Sequence, residues 1–254
     1  YGNSKEENTF NQVSYGAYAK MLKPVFPHNL NSDENQIAII VAKGSILDGE
    51  QDPGTIGGDS TAKLLRKARI NDNIKAVVLQ VDSGGGSAFA SEVIRQEIEL
   101  IKAAGKPVIA SMSSVAASGG YWISVSANKI FAEPSTITGS IGIFGMLATF
   151  ENSFNYLGVN SDGVATNELV GISPTRPLTD GYKSLIQMNI ERGYKRFISL
   201  VADERGMTLE EVDNVAQGRV WVGTQALELG LVDELGGLSE AIAAAAELAE
   251  LTDY

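Results

Sequence analysis

Three short, largely apolar runs most constrain the fold of this chain. They span residues 36–44, 74–82 and 106–112, and stretches with helical periodicity follow the first two, at 59–70 and 87–104. Continuous apolar runs of this length are typical of strands that are buried on both faces of a sheet. The alternation of such strands with helices predicts an α/β domain with a mainly parallel sheet flanked by helices.

The two ends of the chain differ from this pattern. In the final third, helices are predicted over 180–206 and 208–218, each ending at a glycine, and an alanine-rich helix is predicted over 239–251. Residues 1–35 are polar and weakly periodic. We therefore expect a connecting arm or linker at 1–35 and one domain over 36–254.

The composition excludes several functional classes. Lys and Arg number 20 against 31 Asp and Glu, a net charge of -11, so no basic stripe is available to neutralise nucleic-acid phosphates. The chain has no cysteine and a single histidine, His28, which excludes thiolate and multi-histidine metal sites. No clustered carboxylates suggest a cation site, and neither a metal nor a cofactor is expected.

The sequence VAASGGYWIS at 115–124 places one hydroxyl, Ser118, between two alanines and two glycines at a predicted strand-to-helix junction. A nucleophilic serine needs an exposed oxygen at a sharp turn, small neighbours and an adjacent backbone N–H. This stretch meets all three requirements. Close helix packing by small residues is the structural alternative.

A second glycine-rich stretch, VDSGGGSAFASE at 81–92, follows a predicted strand and opens a helix. It lacks the lysine of a P-loop, and its glycine spacing differs from the dinucleotide fingerprint. We interpret the Gly85 N–H as an oxyanion donor aimed at the same point as the Gly119 N–H, with a simple glycine turn as the alternative. Ser140, in TITGSIGIF, lies one strand beyond Ser118, where a buried hydroxyl must find a partner.

The residues do not by themselves identify the base that would deprotonate Ser118. A Ser-His-Asp arrangement would require His28, which lies in a Pro-flanked polar stretch. A lysine can act as the base if burial lowers its pKa. Four lysines lie at or beside predicted strand ends, where solvated charges are also common: Lys43, Lys75, Lys106 and Lys129.

Four motifs, VDSGGGS, SMSSVAASGGYWIS, STITGSIGIFG and GRVWVGTQALELGLVDELGG, resemble in order and spacing the signal peptide peptidase A (protease IV) family. The resemblance covers nearly the whole chain. It implies a crotonase-like (ClpP/crotonase) fold and a membrane-anchored serine protease of the Ser-Lys dyad type that degrades cleaved signal peptides. It also implies that Ser118 is the nucleophile, that Gly85 and Gly119 supply the oxyanion hole, and that Ser140 holds the lysine. Gly84 departs from the family, in which proline is usual, and loosens the turn without removing a donor.

The lysine is the larger departure from the family. In short members it precedes a motif like the SPTR at 173–176, but the preceding residues here contain no lysine, and Thr166 lies near the expected place. Long members have two tandem halves, with the lysine in the first and the serine in the second. This chain resembles the second half only. The resemblance thus implies that the lysine comes from an N-terminal half, whose connection would end in residues 1–35.

The same resemblance implies the partners and the location. The implied partners are remnant signal peptides, which would be the substrates, and the N-terminal half of the same protein. The resemblance also implies a homo-oligomer, which by analogy would be a tetramer. The full-length protein is expected at the periplasmic face of the inner membrane, and this chain itself is expected to be soluble. Two alternatives remain: a crotonase-type acyl-CoA enzyme, in which paired amides stabilise an enolate, and a non-catalytic scaffold half. A Clp-type peptidase would need a histidine where this chain has SIGIF.

Overall fold

The structure is a computed structural model that describes residues 35–167, 169–170, 172–252 and 254. In this part of the chain the strands are β1 (Gln36–Lys43), β2 (Ile46–Leu47), β3 (Ile56–Gly57), β4 (Ile74–Ser83), β5 (Val108–Ala117), β6 (Lys129–Ala132), β7 (Ile137–Gly139), β8 (Val220–Val222) and β9 (Glu234–Leu235). The helices are α1 (Gly58–Ile70), α2 (Ala88–Ala103), α3 (Gly119–Val125), α4 (Glu151–Tyr156), α5 (Asp180–Arg205), α6 (Leu209–Val215), α7 (Gly223–Glu228) and α8 (Leu238–Leu248). The expected arm and His28 lie outside the described residues, apart from Asn35, and the predicted domain division stays a prediction.

The main sheet is mostly parallel. Its strand order is β1-β4-β5-β6-β9, with β7 paired to β5 and β8 paired to β7. Only the β7–β8 pair of this sheet is antiparallel among the described residues. The predicted parallel sheet with flanking helices is therefore confirmed.

Helices cover both faces of the sheet, which explains the continuous apolar runs. In β4, Val77 and Leu79 belong to the larger core cluster. Their neighbours Ala76 and Val78 face the opposite side, in a smaller cluster that includes alanines of α8. Because successive side chains of a strand point to opposite faces, a strand covered on both sides has to be apolar at every position.

Strand β5 changes its neighbour along its length. Its first half, from Ile109 to Met112, pairs with β6, and its last residues, from Val115 to Ala117, pair with β7. The sequence predicts only the first half, because the second half is rich in serine and small residues. This change of partner places the end of β5 beside the end of β7, and the candidate site lies at that point.

Helix ends follow the predicted signals closely. Helix α5 stops at Gly206, whose φ of 64° is the left-handed conformation that favours glycine at a helix C-terminus. Helix α6 begins with a capping box between Thr208 and Glu211. The short strands after β5 have two to four residues and carry no readable period, and the sequence does not predict them.

Candidate active site

Ser118 occupies the junction between β5 and α3. It is half-buried and has φ 54° and ψ -116°. A non-glycine residue with positive φ is uncommon and indicates a sharp turn held by its surroundings. The turn leaves the Ser118 side chain at the end of the strand, where it lines a cavity of about 440 Å³.

The glycine turn after β4 runs directly against this serine. Gly85 has φ 99°, and a β-carbon on it would lie 2.6 Å from the Gly119 nitrogen and 2.9 Å from the Ser118 β-carbon. Real β-carbons essentially never approach other atoms this closely, so any larger residue at position 85 would force the turn to shift, besides straining its backbone. The two glycines that the sequence singles out are brought together beside Ser118.

The amides of these glycines are engaged differently. The Gly85 N–H donates a hydrogen bond to the Ser83 hydroxyl at 3.1 Å. Within the described part of the chain, the Gly119 and Gly86 N–H groups donate no hydrogen bond to another residue. A β-carbon on Gly119 would lie 3.2 Å from the Gly86 nitrogen, so these two free amides are neighbours. Gly86 is therefore a further candidate oxyanion donor, which the sequence analysis does not name, and the role of Gly85 stays a prediction.

Ser140 comes to the same cavity from the next strand. Residues Ala117 and Gly139 are paired in the β5–β7 ladder, and the Ser118 N–H donates to the Gly139 carbonyl at 2.9 Å. Ser140 follows directly, with φ 49°, and its N–H donates to the Arg219 carbonyl at 2.7 Å. The cavity is lined by Ser118, Ser140, Gly142, Ile143, Phe144, Tyr194, Gln217 and Gly218.

None of the described lysines lines this cavity. Lys43 and Lys129 form ion pairs with Asp82 and Glu234, at 3.1 Å and 2.6 Å. At the surface, Thr166 is exposed and does not line the cavity either.

Lys106 and Lys75 lie in a separate surface groove. The Lys106 ammonium donates to three backbone carbonyls around the end of α1, and burial lowers the pKa of Lys106. This lysine therefore caps the C-terminus of α1 and does not line the cavity at Ser118. No candidate base from the sequence thus reaches the serine within the described residues.

A charged network lies behind the serine, in the contact between α2 and α3. The Trp122 indole N–H and the Arg95 guanidinium each donate to the Glu92 carboxylate at 2.9 Å. Burial alone would raise the pKa of Glu92, but hydrogen bonds from Arg95, Trp122 and Gln96 outweigh it and lower the pKa to about 2. The network fixes α3, the helix that begins immediately after Ser118. Sequence reasoning did not find it, because its partners come from separate elements.

Two solved structures share the architecture of this chain. A ClpP1 mutant from Listeria monocytogenes superposes with a TM-score of 0.54, at 17% identity over 80% of this chain and 94% of that chain. A mutant of the 1510-N membrane-bound stomatin-specific protease gives 0.53, at 18% identity over 83% and 84% of the two chains. The chain therefore has the ClpP/crotonase-like α/β fold, as the sequence predicts.

Sequence comparisons define the family within that fold. Residues 101–252 match Peptidase family S49, and the chain belongs to this family of serine proteases. Protease 4 of Salmonella typhi is 51% identical over all 254 residues. The serine protease SPPA of Arabidopsis thaliana chloroplasts is 39% identical over 94% of the chain. The predicted family resemblance is confirmed.

The chain is shorter than these relatives. It spans 40% of the Salmonella typhi Protease 4 and 36% of the Arabidopsis thaliana protein. Among the described residues, every helix is too short or too polar to serve as a membrane span.

Proposed function

We propose that this chain supplies the nucleophile of a Ser-Lys endopeptidase that degrades cleaved signal peptides and other apolar peptides. The observation that carries the proposal is the placement of Ser118. Its side chain lines an open cavity at a strained strand-to-helix turn, beside two free glycine amides and the Ser140 side chain. Nucleophilic catalysis needs this combination of reachable oxygen and preorganised donors.

In the proposed reaction, a neutral lysine amine takes the proton of Ser118 while the serine oxygen attacks the peptide carbonyl. The Gly119 N–H and a second amide, from Gly86 or from Gly85, stabilise the oxyanion. Collapse of the intermediate breaks the C–N bond, and the lysine ammonium returns its proton to the leaving amine. Water then hydrolyses the acyl-enzyme by the same route in reverse. Ser140 orients the lysine.

The lysine is proposed to come from outside this chain. Two findings support this: the described cavity wall contains no lysine, and the chain spans 40% of its Salmonella typhi relative. An amine delivered by an N-terminal half would approach Ser118 and Ser140 from the open side of the cavity. The expected tetramer and the periplasmic membrane location are proposed for that full-length protein on the family resemblance.

The apolar substrate class is supported by the cavity wall. Ile143 and Phe144 line it, and Phe144 is 87% exposed, so its ring is available to an incoming side chain. No carboxylate lines the described cavity. An acyl-CoA enzyme that brings carboxylates to its site has correspondingly less support.

The test compares this chain alone, this chain mixed with the separately produced N-terminal half, and the full-length protein, using an apolar peptide substrate. We expect no turnover by the chain alone and turnover in the other two samples. Ser118→Ala should reduce the activity by about 10⁴-fold or more with an unchanged fold. Ser114→Ala, an exposed serine of the same strand, is the matched control and should stay active.

Two outcomes would contradict the proposal. Robust cleavage by this chain alone would show that an internal group serves as the base. Failure of a fluorophosphonate to label Ser118 in the full-length protein would instead favour the scaffold alternative.

A further inference from the structure

We propose that Tyr194 is a positioning residue for this site, whose hydroxyl fixes the turn at 216–219 and thereby holds Ser140 beside Ser118. The inference rests on the proposed peptidase function and deepens it. It assigns a role to a side chain on α5, far along the sequence from every motif that marks the site.

The Tyr194 hydroxyl joins three segments at one point. Tyr194 lines the cavity, while its hydroxyl donates to a carboxylate oxygen of Asp213 on α6. The same hydroxyl accepts a hydrogen bond from the Gln217 N–H at 3.2 Å. Asp213 also accepts from the Gln217 side-chain amide at 3.0 Å. Both the backbone and the side chain of Gln217 are thus tied to the Tyr194–Asp213 pair.

The turn at 216–219 is also hydrogen-bonded to the backbone around Ser140. The Gly218 N–H donates to the Ile141 carbonyl at 2.9 Å, and the Arg219 carbonyl accepts from the Ser140 N–H at 2.7 Å. Gln217 and Gly218 themselves line the cavity. A displacement of the turn would therefore move the backbone of Ser140 directly.

The conformation of Gln217 explains why the turn needs support. Its φ is 58°, a region that non-glycine residues occupy only when their surroundings compensate the strain. The Tyr194 hydroxyl satisfies the Gln217 N–H in this conformation. Without it, the turn would lose a hydrogen bond while keeping the backbone strain.

Tyr194 is not itself suited to remove the serine proton. Burial, together with the hydrogen bond to Asp213, raises the pKa of Tyr194 to about 12, so the phenol stays neutral at neutral pH. Its single proton is directed at a carboxylate. An indirect role through the turn is the one that the contacts support.

The test uses Tyr194→Phe in the full-length protein, which keeps the ring in the cavity wall and removes only the hydroxyl. The readouts are the rate at which a small fluorophosphonate acylates Ser118, and kcat and KM for an apolar peptide. We expect the acylation rate and kcat to fall by about 10- to 100-fold, because small displacements at a reacting centre are costly, with KM changing by less than about threefold. Asp213→Ala should act in the same way, and Asp213→Asn should recover part of the rate, since its amide oxygen still accepts from the phenol.

Tyr182→Phe is the matched control on the same helix, because the Tyr182 hydroxyl has no hydrogen-bond partner among the described residues. An unchanged acylation rate in Tyr194→Phe, or a raised KM with unchanged kcat, would overturn the inference. If Tyr194→Phe fails to fold, the difference between Asp213→Asn and Asp213→Ala decides in its place. Absence of labelling in the unmodified protein would instead contradict the proposed function.

Discussion

At the scale of single residues, backbone strain is concentrated at the candidate site. Of the five non-glycine residues with positive φ in the described chain, three line one cavity: Ser118, Ser140 and Gln217. Such conformations cost about 1–3 kcal/mol each and persist only where neighbouring contacts hold them. Here the compensating contacts are backbone hydrogen bonds from adjacent strands and the Tyr194 hydroxyl.

Gly85 and Gly84 form a matched pair for testing this packing. Gly85→Ala should destabilise the fold by about 1–3 kcal/mol and abolish fluorophosphonate labelling of Ser118, because its φ is 99° and its β-carbon would meet the Gly119 nitrogen at 2.6 Å. At Gly84, an added β-carbon would meet no atom within 4 Å, and the backbone φ does not lie in the left-handed region. Gly84→Ala should stabilise the protein by about 0.4–1 kcal/mol by restricting the unfolded chain.

Urea denaturation and labelling, measured on both variants of the full-length protein, check this prediction. Efficient labelling of Gly85→Ala would show that the turn after β4 does not need to pass this close to Ser118. A destabilised Gly84→Ala would show that the turn depends on the freedom of that residue.

At the scale of secondary-structure elements, helix α3 carries the site and α2 anchors it. Trp122 on α3 is 3% exposed, packs against the Phe197 ring of α5 with a centroid distance of 4.5 Å, and donates to Glu92 on α2. Arg196 on α5 also contacts the Glu92 carboxylate, at 3.0 Å. One carboxylate therefore links three helices behind the nucleophile.

This link predicts a dependence of stability on pH. The pKa of Glu92 is about 2 in the folded protein against 4.5 for the ordinary side chain, so the unfolded state binds the proton more tightly. The contribution of Glu92 to stability should be complete above about pH 4.5 and should be lost as the pH falls from there through 2. Glu92→Gln should lower the free energy of unfolding at pH 7 by about 1.5–3 kcal/mol. It should also make that free energy fall less steeply as the pH drops from 4.5 to 2, which is the acid limb of the stability curve.

Glu99→Gln is the control for this prediction, because Glu99 lies on the same helix and contacts Arg95 from a more exposed position. It should change stability by at most about 1 kcal/mol. Urea denaturation of the chain between pH 2 and pH 7 distinguishes the two variants. An acid limb that is equally steep in Glu92→Gln would show that other carboxylates govern it.

At the scale of the whole molecule, the sheet is enclosed by helices of different character. The larger core packs isoleucine, leucine and aromatic side chains on one face. On the other face, α8 contributes alanines such as Ala241 and Ala245, which pack with Ile109 and Phe131. Small side chains allow the helix axis to approach the sheet closely and leave no room for a larger residue.

Ala245→Leu should therefore destabilise the protein by about 1–3 kcal/mol through overpacking, since Ala245 is completely buried. Ala243 lies on the exposed face of the same helix, so Ala243→Leu should change the free energy of unfolding by no more than about 0.5 kcal/mol. Urea denaturation measures both variants. Equal stability of the two would mean that the interface between α8 and the sheet can expand without cost.

Much of this fold is readable from local patterns. The runs that become β1 and β4, the helices α1 and α2, and the glycine stop after α5 all appear in the sequence near their observed bounds. Short strands such as β6 and β7 do not, because a few residues carry no period and are defined only by their neighbours in the sheet. The second half of β5 is likewise defined by its neighbour, because its residues form a strand through their pairing with β7.

The amino-acid sequence alone indicated the α/β class and the small-residue turn around Ser118, because periodicity and turn chemistry are local properties of the chain. Its four motifs indicated the family by resemblance. The folded structure was needed to show which glycine amides stay free, that Ser118 and Ser140 line one cavity, and that the Tyr194 hydroxyl bonds to the Gln217 backbone in the same cavity wall. It also decided that no described lysine reaches the cavity. These facts depend on the register between strands and on contacts between residues far apart in the chain, for which local sequence patterns hold no information.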